Sequence, residues 1–117
     1  KDALKNVLSQ FKLVVHDGLY STAFLETLYL DKPTLALINP KDIKDYSFEF
    51  RKEINNLKNI GMIHTNVKSL KKFLLKNYLS IDDWWKNEKV KKVLKKFKKT
   101  YLRNSKSYVE DFNKLIN

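Results

Sequence analysis

The chain has 117 residues, a net charge of +11 and no cysteine. That length suits one domain with a real hydrophobic core, and the missing thiols exclude disulfides and thiolate metal sites. The absence of cysteine also fits a cytoplasmic protein, and no apolar run is long enough to span a membrane and no signal-peptide pattern is visible in this sequence.

The chain opens on Lys1 inside an apolar-periodic segment (Ala3, Leu4, Val7, Leu8, Phe11) and reads as a piece of a longer protein. Its positive charge comes mainly from lysine, and asparagine is abundant, a bias that an AT-rich genome produces without selection for polyanions. A basic surface attracts nucleic acid, anionic lipid and phosphorylated ligands alike. A nucleic-acid binder would show arginine, glycine and aromatics in a known module. None is visible, so nucleic acid is not an expected partner.

In chain order, residues 2–11 read as an amphipathic helix. Residues 12–16 form a short apolar run bounded by polar residues, as a buried parallel strand does. Ser21 or its predecessor caps a helix over about 21–30, apolar over much of its surface through Ala23, Phe24, Leu25, Leu28 and Tyr29. Lys32-Pro33 ends it. Residues 34–38 are a second strand, broken by Asn39-Pro40. A polar helix pattern over 42–59 turns Phe48, Ile54, Leu57 and Ile60 inward, and Gly61 stops it. Met62-Ile63-His64 is a candidate third strand. Thr65 or Asn66 starts a helix over about 67–79 with Val67, Leu70, Phe73, Leu74 and Tyr78 on one face. Asp82-Asp83 opens a turn holding Trp84-Trp85, and helices near 88–103 and 106–116 follow. This alternation predicts an α/β fold, a partial Rossmann-like three-layer parallel sheet with extra C-terminal helices. Residues 1–80 would form the sheet-bearing subdomain and 81–117 a helical extension packed on the same domain.

Chemistry concentrates between residues 12 and 39. The turn His16-Asp17-Gly18-Leu19-Tyr20-Ser21-Thr22 brings two hydroxyls and free N–H groups to a helix start, an arrangement that favours phosphate. Gly18 lets the backbone turn and a ligand approach closely. The plain alternative is an ordinary βα loop with a Ser or Thr cap. There is no Walker lysine and no complete GxGxxG. Glu26, one turn into the helix, is either a ribose-hydroxyl acceptor or an acid favoured by the helix dipole. His16 and His64 fall near the carboxyl ends of predicted strands, where open α/β sheets bind ligands. Each is a candidate acid, base or phosphate donor, or a loop histidine with no chemistry. Two histidines without a third ligand predict no metal site. Trp84 and Trp85 point about 100° apart on a helix, which suits packing better than a stacking platform. In the Lys-rich helix, Val90, Val93, Leu94, Phe97 and Tyr101 make one side core. Lys91, Lys92, Lys95, Lys96, Lys98 and Lys99 form either a solvated face or a contact for anionic lipid, where each lysine contributes on the order of 1 kcal/mol.

The ordered pattern Asp17, Ser21-Thr22-Ala23-Phe24-Leu25-Glu26-Thr27-Leu28, Lys32-Pro33, then Gly61-Met62-Ile63-His64, then Asp82-Asp83-Trp84-Trp85 resembles the C-terminal part of a family of bacterial surface-carbohydrate biosynthesis transferases. The first stretch resembles more broadly the donor-binding half of GT-B-type glycosyltransferases and related sugar- or polyol-phosphate transferases. The likeness covers residues 12 to 103. It implies transfer from a nucleotide-sugar or CDP-polyol donor, a substrate rather than a cofactor, to a glycan or lipid-linked acceptor. By that analogy Gly18, Ser21 and Thr22 hold donor phosphates, and Glu26 holds ribose or sugar hydroxyls. His16 or Asp17 faces the reacting centre, and His64 is a candidate for the edge of the site. It also implies a missing N-terminal domain as partner and no turnover by this chain alone. The expected location is the cytoplasm, with the inner face of the membrane as the alternative. A reading from a different class is a non-catalytic basic α/β module that docks on an anionic membrane or a protein partner.

Overall fold

The computed structural model describes residues 12–19 and 22–101, Thr22 by its backbone alone. The helices expected over 2–11 and 106–116 lie outside the described residues. The elements run β1 (Val14–Asp17), α1 (Thr22–Tyr29), β2 (Thr34–Leu37), α2 (Pro40–Ile43), α3 (Phe48–Asn59), β3 (Ile63–His64), α4 (Val67–Asn77), a 3-10 turn (Tyr78–Ser80), α5 (Ile81–Lys86) and α6 (Glu88–Tyr101). The strands form one parallel sheet in the order β1-β2-β3. The architecture is α/β and consistent with the partial Rossmann-like fold expected from the sequence.

β2 is the central strand, and its Thr34, Leu35 and Ala36 are buried because helices cover both faces. The register places His16 beside Ala36, Ala36 beside Ile63, and Leu37 beside both Asp17 and His64. Side chains alternate along a strand, so His16, Ala36 and Ile63 share one face, and Asp17, Leu37 and His64 share the other. The first face carries α1, whose Phe24 ring meets the His16 ring edge-on at 5.6 Å. Outside Phe24 comes Phe97 of α6, at 6.5 Å between ring centroids, and Phe97 also meets Phe50 of α3 at 6.4 Å. The second face carries α4, through Phe73 at 5.4 Å from the His64 ring. Phe24, Leu28, Ile54, Leu57, Met62, Trp85, Leu94 and Phe97 all belong to one buried core. Residues of 81–101 thus pack on the same core as the sheet.

α5 closes the amino edge of the sheet. The Trp84 indole donates to the carbonyl of Ile60, just ahead of β3, at 2.9 Å. The Trp85 indole donates to Asp31, just ahead of β2, reaching its carbonyl at 3.2 Å and its Oδ1 at 3.1 Å. Trp85 is buried in the core, while half-buried Trp84 meets Phe73 edge-on at 5.0 Å. The 100° offset between neighbouring helix residues separates the two rings in this way.

Three expectations need correction. The helix predicted over 42–59 is two helices, because each start has its own cap. Asn39 Oδ1 accepts from the Lys41 N–H at 3.0 Å with Pro40 at the first helical position, and Ser47 Oγ accepts from the Phe50 N–H at 3.2 Å. Restarting at Ser47 turns Phe48 outward and leaves Phe50 against the core. On α4, Val67 and Tyr78 are exposed rather than inward. Val67 is the first helical residue at the sheet edge, and Tyr78 already belongs to the 3-10 turn, whose different rise moves it off the helix stripe. β1 begins at Val14 and ends at Asp17 instead of His16, and that one-residue shift decides which side chain ends the strand.

Candidate functional site

The carboxyl ends of the three strands converge on a shallow cavity of about 330 Å³ lined by Asp17, Leu37, Ile38, Asn39, Pro40, Thr65, Asn66 and Val67. Ligands of open parallel sheets bind beyond this edge. Asp17 ends β1, Asn39 lies two residues past β2, and Asn66 lies two residues past β3. The start of α4 opens here, with the Asn66 side chain accepting from the Ser69 N–H at 2.8 Å. The turn carrying Gly18 leads from the same edge into α1. Gly18 has φ +107°, and a Cβ built there would meet nothing within 4 Å among the described residues. Open space and a left-handed backbone are what a close backbone–ligand approach requires. Neither α1 nor α4 carries an acid in its first turn, whereas α2, α3, α5 and α6 each do. An acid there would occupy the positive end of the helix dipole and repel an anion.

The two histidines take other positions. His16 points to the α1 face, away from Asp17. Thr27 Oγ1 donates to the Phe24 carbonyl at 2.8 Å, so the His16 Nε2 at 3.0 Å from that oxygen carries the hydrogen and donates to it. Burial lowers the His16 pKa, which favours the neutral ring. His64 Nε2 lies 2.7 Å from the Gly61 carbonyl, which accepts only, so Nε2 bears the proton. Nδ1 then accepts from the Ser69 hydroxyl at 2.7 Å. Both ring nitrogens of His64 are spent on the junction of β3 with α4.

Glu26 is 7% exposed, and its Oε2 has no hydrogen-bond partner among the described residues. Burial raises its pKa. A buried carboxyl oxygen without a partner costs stability, and such groups cluster at functional sites. Ser21 and the Thr22 side chain lie outside the described residues. Of the residues singled out in the sequence for chemistry, Asp17 is the one that lines the cavity among the described residues. Asn39, Thr65 and Asn66 were not singled out for chemistry. Each lies within two residues of a strand's carboxyl end, and the carboxyl-edge rule applied to every strand would have found them. Among the described residues no group of His, Asp or Glu side chains comes together in a way that would hold a metal ion, and no helix is long and apolar enough to cross a membrane.

Residues 1–116 match the family model described as LIC12162 family transferase. The chain belongs to this family of transferases. No curated protein and no solved structure matches it. In this member of the LIC12162 transferase family the cavity lies at the sheet's carboxyl edge, the edge at which open α/β sheets bind ligands.

Proposed function

We propose that this chain is the donor-binding part of a transferase that moves a sugar or polyol-phosphate from a nucleotide-activated donor, in the synthesis of surface carbohydrate. The single observation carrying the reading is the open cavity at the carboxyl edge, flanked by the Gly18 turn into α1, in a chain of a transferase family. The surface-carbohydrate role and the donor class rest on the motif resemblance.

In this reading the donor diphosphate lies at the start of α1, against the N–H groups around Gly18 and the hydroxyls of Ser21 and Thr22. As the bond to the transferred group breaks, negative charge grows on the leaving phosphate. Fixed N–H dipoles then stabilise the transition state more than the ground state. Glu26 accepts from ribose or sugar hydroxyls. Asp17 stands at the reacting centre. His16, hydrogen-bonded to Thr27, positions α1 against β1. The base that activates the acceptor belongs to a further domain, across the cleft.

Calorimetric titration with CMP, UDP, GDP and CDP-glycerol, at low and at 0.3 M salt, tests the reading. A preference among the bases that survives salt supports it, because a purely electrostatic attraction is screened. Equal binding of all four that fades with salt removes it.

A second reading is favoured by α6. Its Val90, Leu94 and Phe97 are buried, while Lys91, Lys92, Lys95, Lys96 and Lys99 are exposed. That face suits an anionic lipid surface at the inner side of the membrane. Sedimentation with phosphatidylglycerol vesicles, absent with phosphatidylcholine and lost in salt, would favour it.

A further inference from the structure

The cavity holds hydrogen-bonding groups that a phosphate site does not use. Asn39 and Asn66 both line it, and both side-chain oxygens are held by cap bonds, to Lys41 N–H and Ser69 N–H. An amide whose oxygen is fixed in this way has its orientation set, and its Nδ2 group remains as a two-hydrogen donor. The two amides occupy equivalent places, each two residues past a partner in the register pair Leu37 and His64. They therefore stand at the ends of adjacent strands, which run roughly 4.8 Å apart. Thr65 adds a hydroxyl and Asp17 a carboxylate. Pro40 and Val67, the latter 65% exposed, supply apolar wall.

This set combines donors with one anionic acceptor. Vicinal hydroxyls, each able to donate and accept, satisfy both kinds of group at once. A phosphate accepts only, and the Asp17 carboxylate would repel it. The apolar wall suits the C–H surface of a sugar ring or polyol chain. The cavity volume, about 330 Å³, is at the small end of the range for small-molecule sites.

We propose that this cavity binds the hydroxyl-bearing group being transferred, a sugar or a polyol, and that the Nδ2 groups of Asn39 and Asn66 select it. The proposal rests on the donor-site reading above and adds a subsite to it. Asn39→Asp and Asn66→Asp provide the test. Aspartate caps a helix as well as asparagine does, so the fold and the melting temperature are kept, while the donor becomes an acceptor. Affinities would be measured for UDP with UDP-glucose, GDP with GDP-mannose, and CDP with CDP-glycerol, together with amide shifts for free glucose and glycerol. The expected result is a preferred glycosylated or polyol form that binds more tightly than its bare nucleotide, with shifts at Asn39, Thr65 and Asn66. Each variant then loses about tenfold for that form and less than about twofold for the bare nucleotide. Bare and decorated nucleotides that bind alike, or variants that weaken both equally, overturn the subsite and leave the donor reading standing. Shifts from glucose or glycerol at Asn39, Thr65 and Asn66, with no nucleotide bound at all, sink the donor reading and keep the subsite. Silence from every probe overturns both.

Discussion

His64 Nδ1 and Ser69 Oγ lie 2.7 Å apart, which ties the last residue of β3 to the first turn of α4. Nε2 carries a proton that faces the Gly61 carbonyl, and burial favours the neutral ring, in which Nδ1 accepts from the Ser69 hydroxyl. Burial lowers the His64 pKa, the Gly61 bond opposes that shift, and the Lys58 charge reinforces it. Below about pH 6.5 the unfolded chain takes up a proton that the folded chain resists. The unfolded state then binds more protons, so stability rises with pH. This contribution is complete above about pH 6.5 and drains away as pH falls below it. His16 acts in the same direction. Urea unfolding at pH 7.5, 6.5 and 5.5 should show that His64→Gln loses less stability than the parent as pH falls, whatever the opposing change at Glu26 adds to both. Parallel slopes in the two proteins would contradict the assignment.

Glu26 has the opposite sign. Its pKa is raised by burial, so the folded chain holds a proton that the unfolded chain releases above about pH 4.5. Stability is lost as pH rises from there through the folded value. Glu26→Gln removes that loss. The variant should match the parent near pH 4 and exceed it at pH 7, by on the order of 1 kcal/mol. Thermal melts at the two pH values read this directly. If Glu26 also serves the donor, the same variant gains stability and loses nucleotide binding, the trade-off expected where function holds a costly group in place. A melting temperature that falls at pH 7 would show that the carboxyl has a stabilising partner.

The two glycines separate backbone strain from packing. A Cβ at Gly18, φ +107°, meets nothing within 4 Å among the described residues, while one at Gly61, φ +89°, meets Phe73 Cε2 at 2.7 Å. Gly18→Ala should cost about 1–2 kcal/mol from the left-handed backbone alone. Gly61→Ala should cost at least about 1 kcal/mol more, because Phe73 must leave its place between His64 and Trp84. Denaturant midpoints compare them, and equal costs would mean that Phe73 moves freely.

Much of the fold was legible because local chemistry and global packing agree. The apolar runs around Val14–Asp17 and Thr34–Leu37, the Lys32-Pro33 break and the Gly61 stop each gave one feature of the βαβαβ frame. Burial of the Glu26 helix was legible from its apolar neighbours. What failed was finer. A strand that stops at His16 leaves Asp17 in the turn, but β1 includes both residues, and neighbouring strand residues face opposite sides, so His16 meets α1 while Asp17 lines the cavity. The break before Ser47 was missed because a polar helix pattern continues across it, and only the cap bonds reveal the restart. In the sequence Asn39 marks a strand break and Asn66 a helix start. Their common cavity depends on the β2–β3 pairing, which no local pattern in the sequence specifies.

The central claim is that the carboxyl edge of this sheet holds a nucleotide-activated donor. The most direct test is an amide-resolved NMR titration of the chain with CMP, UDP, GDP and CDP-glycerol at fixed salt. The account predicts localised shifts at Asp17, Gly18 and the first turns of α1 and α4, with one base preferred. Shifts confined to the lysines of α6 that vanish with added salt, with the carboxyl edge silent for all four ligands, would contradict it.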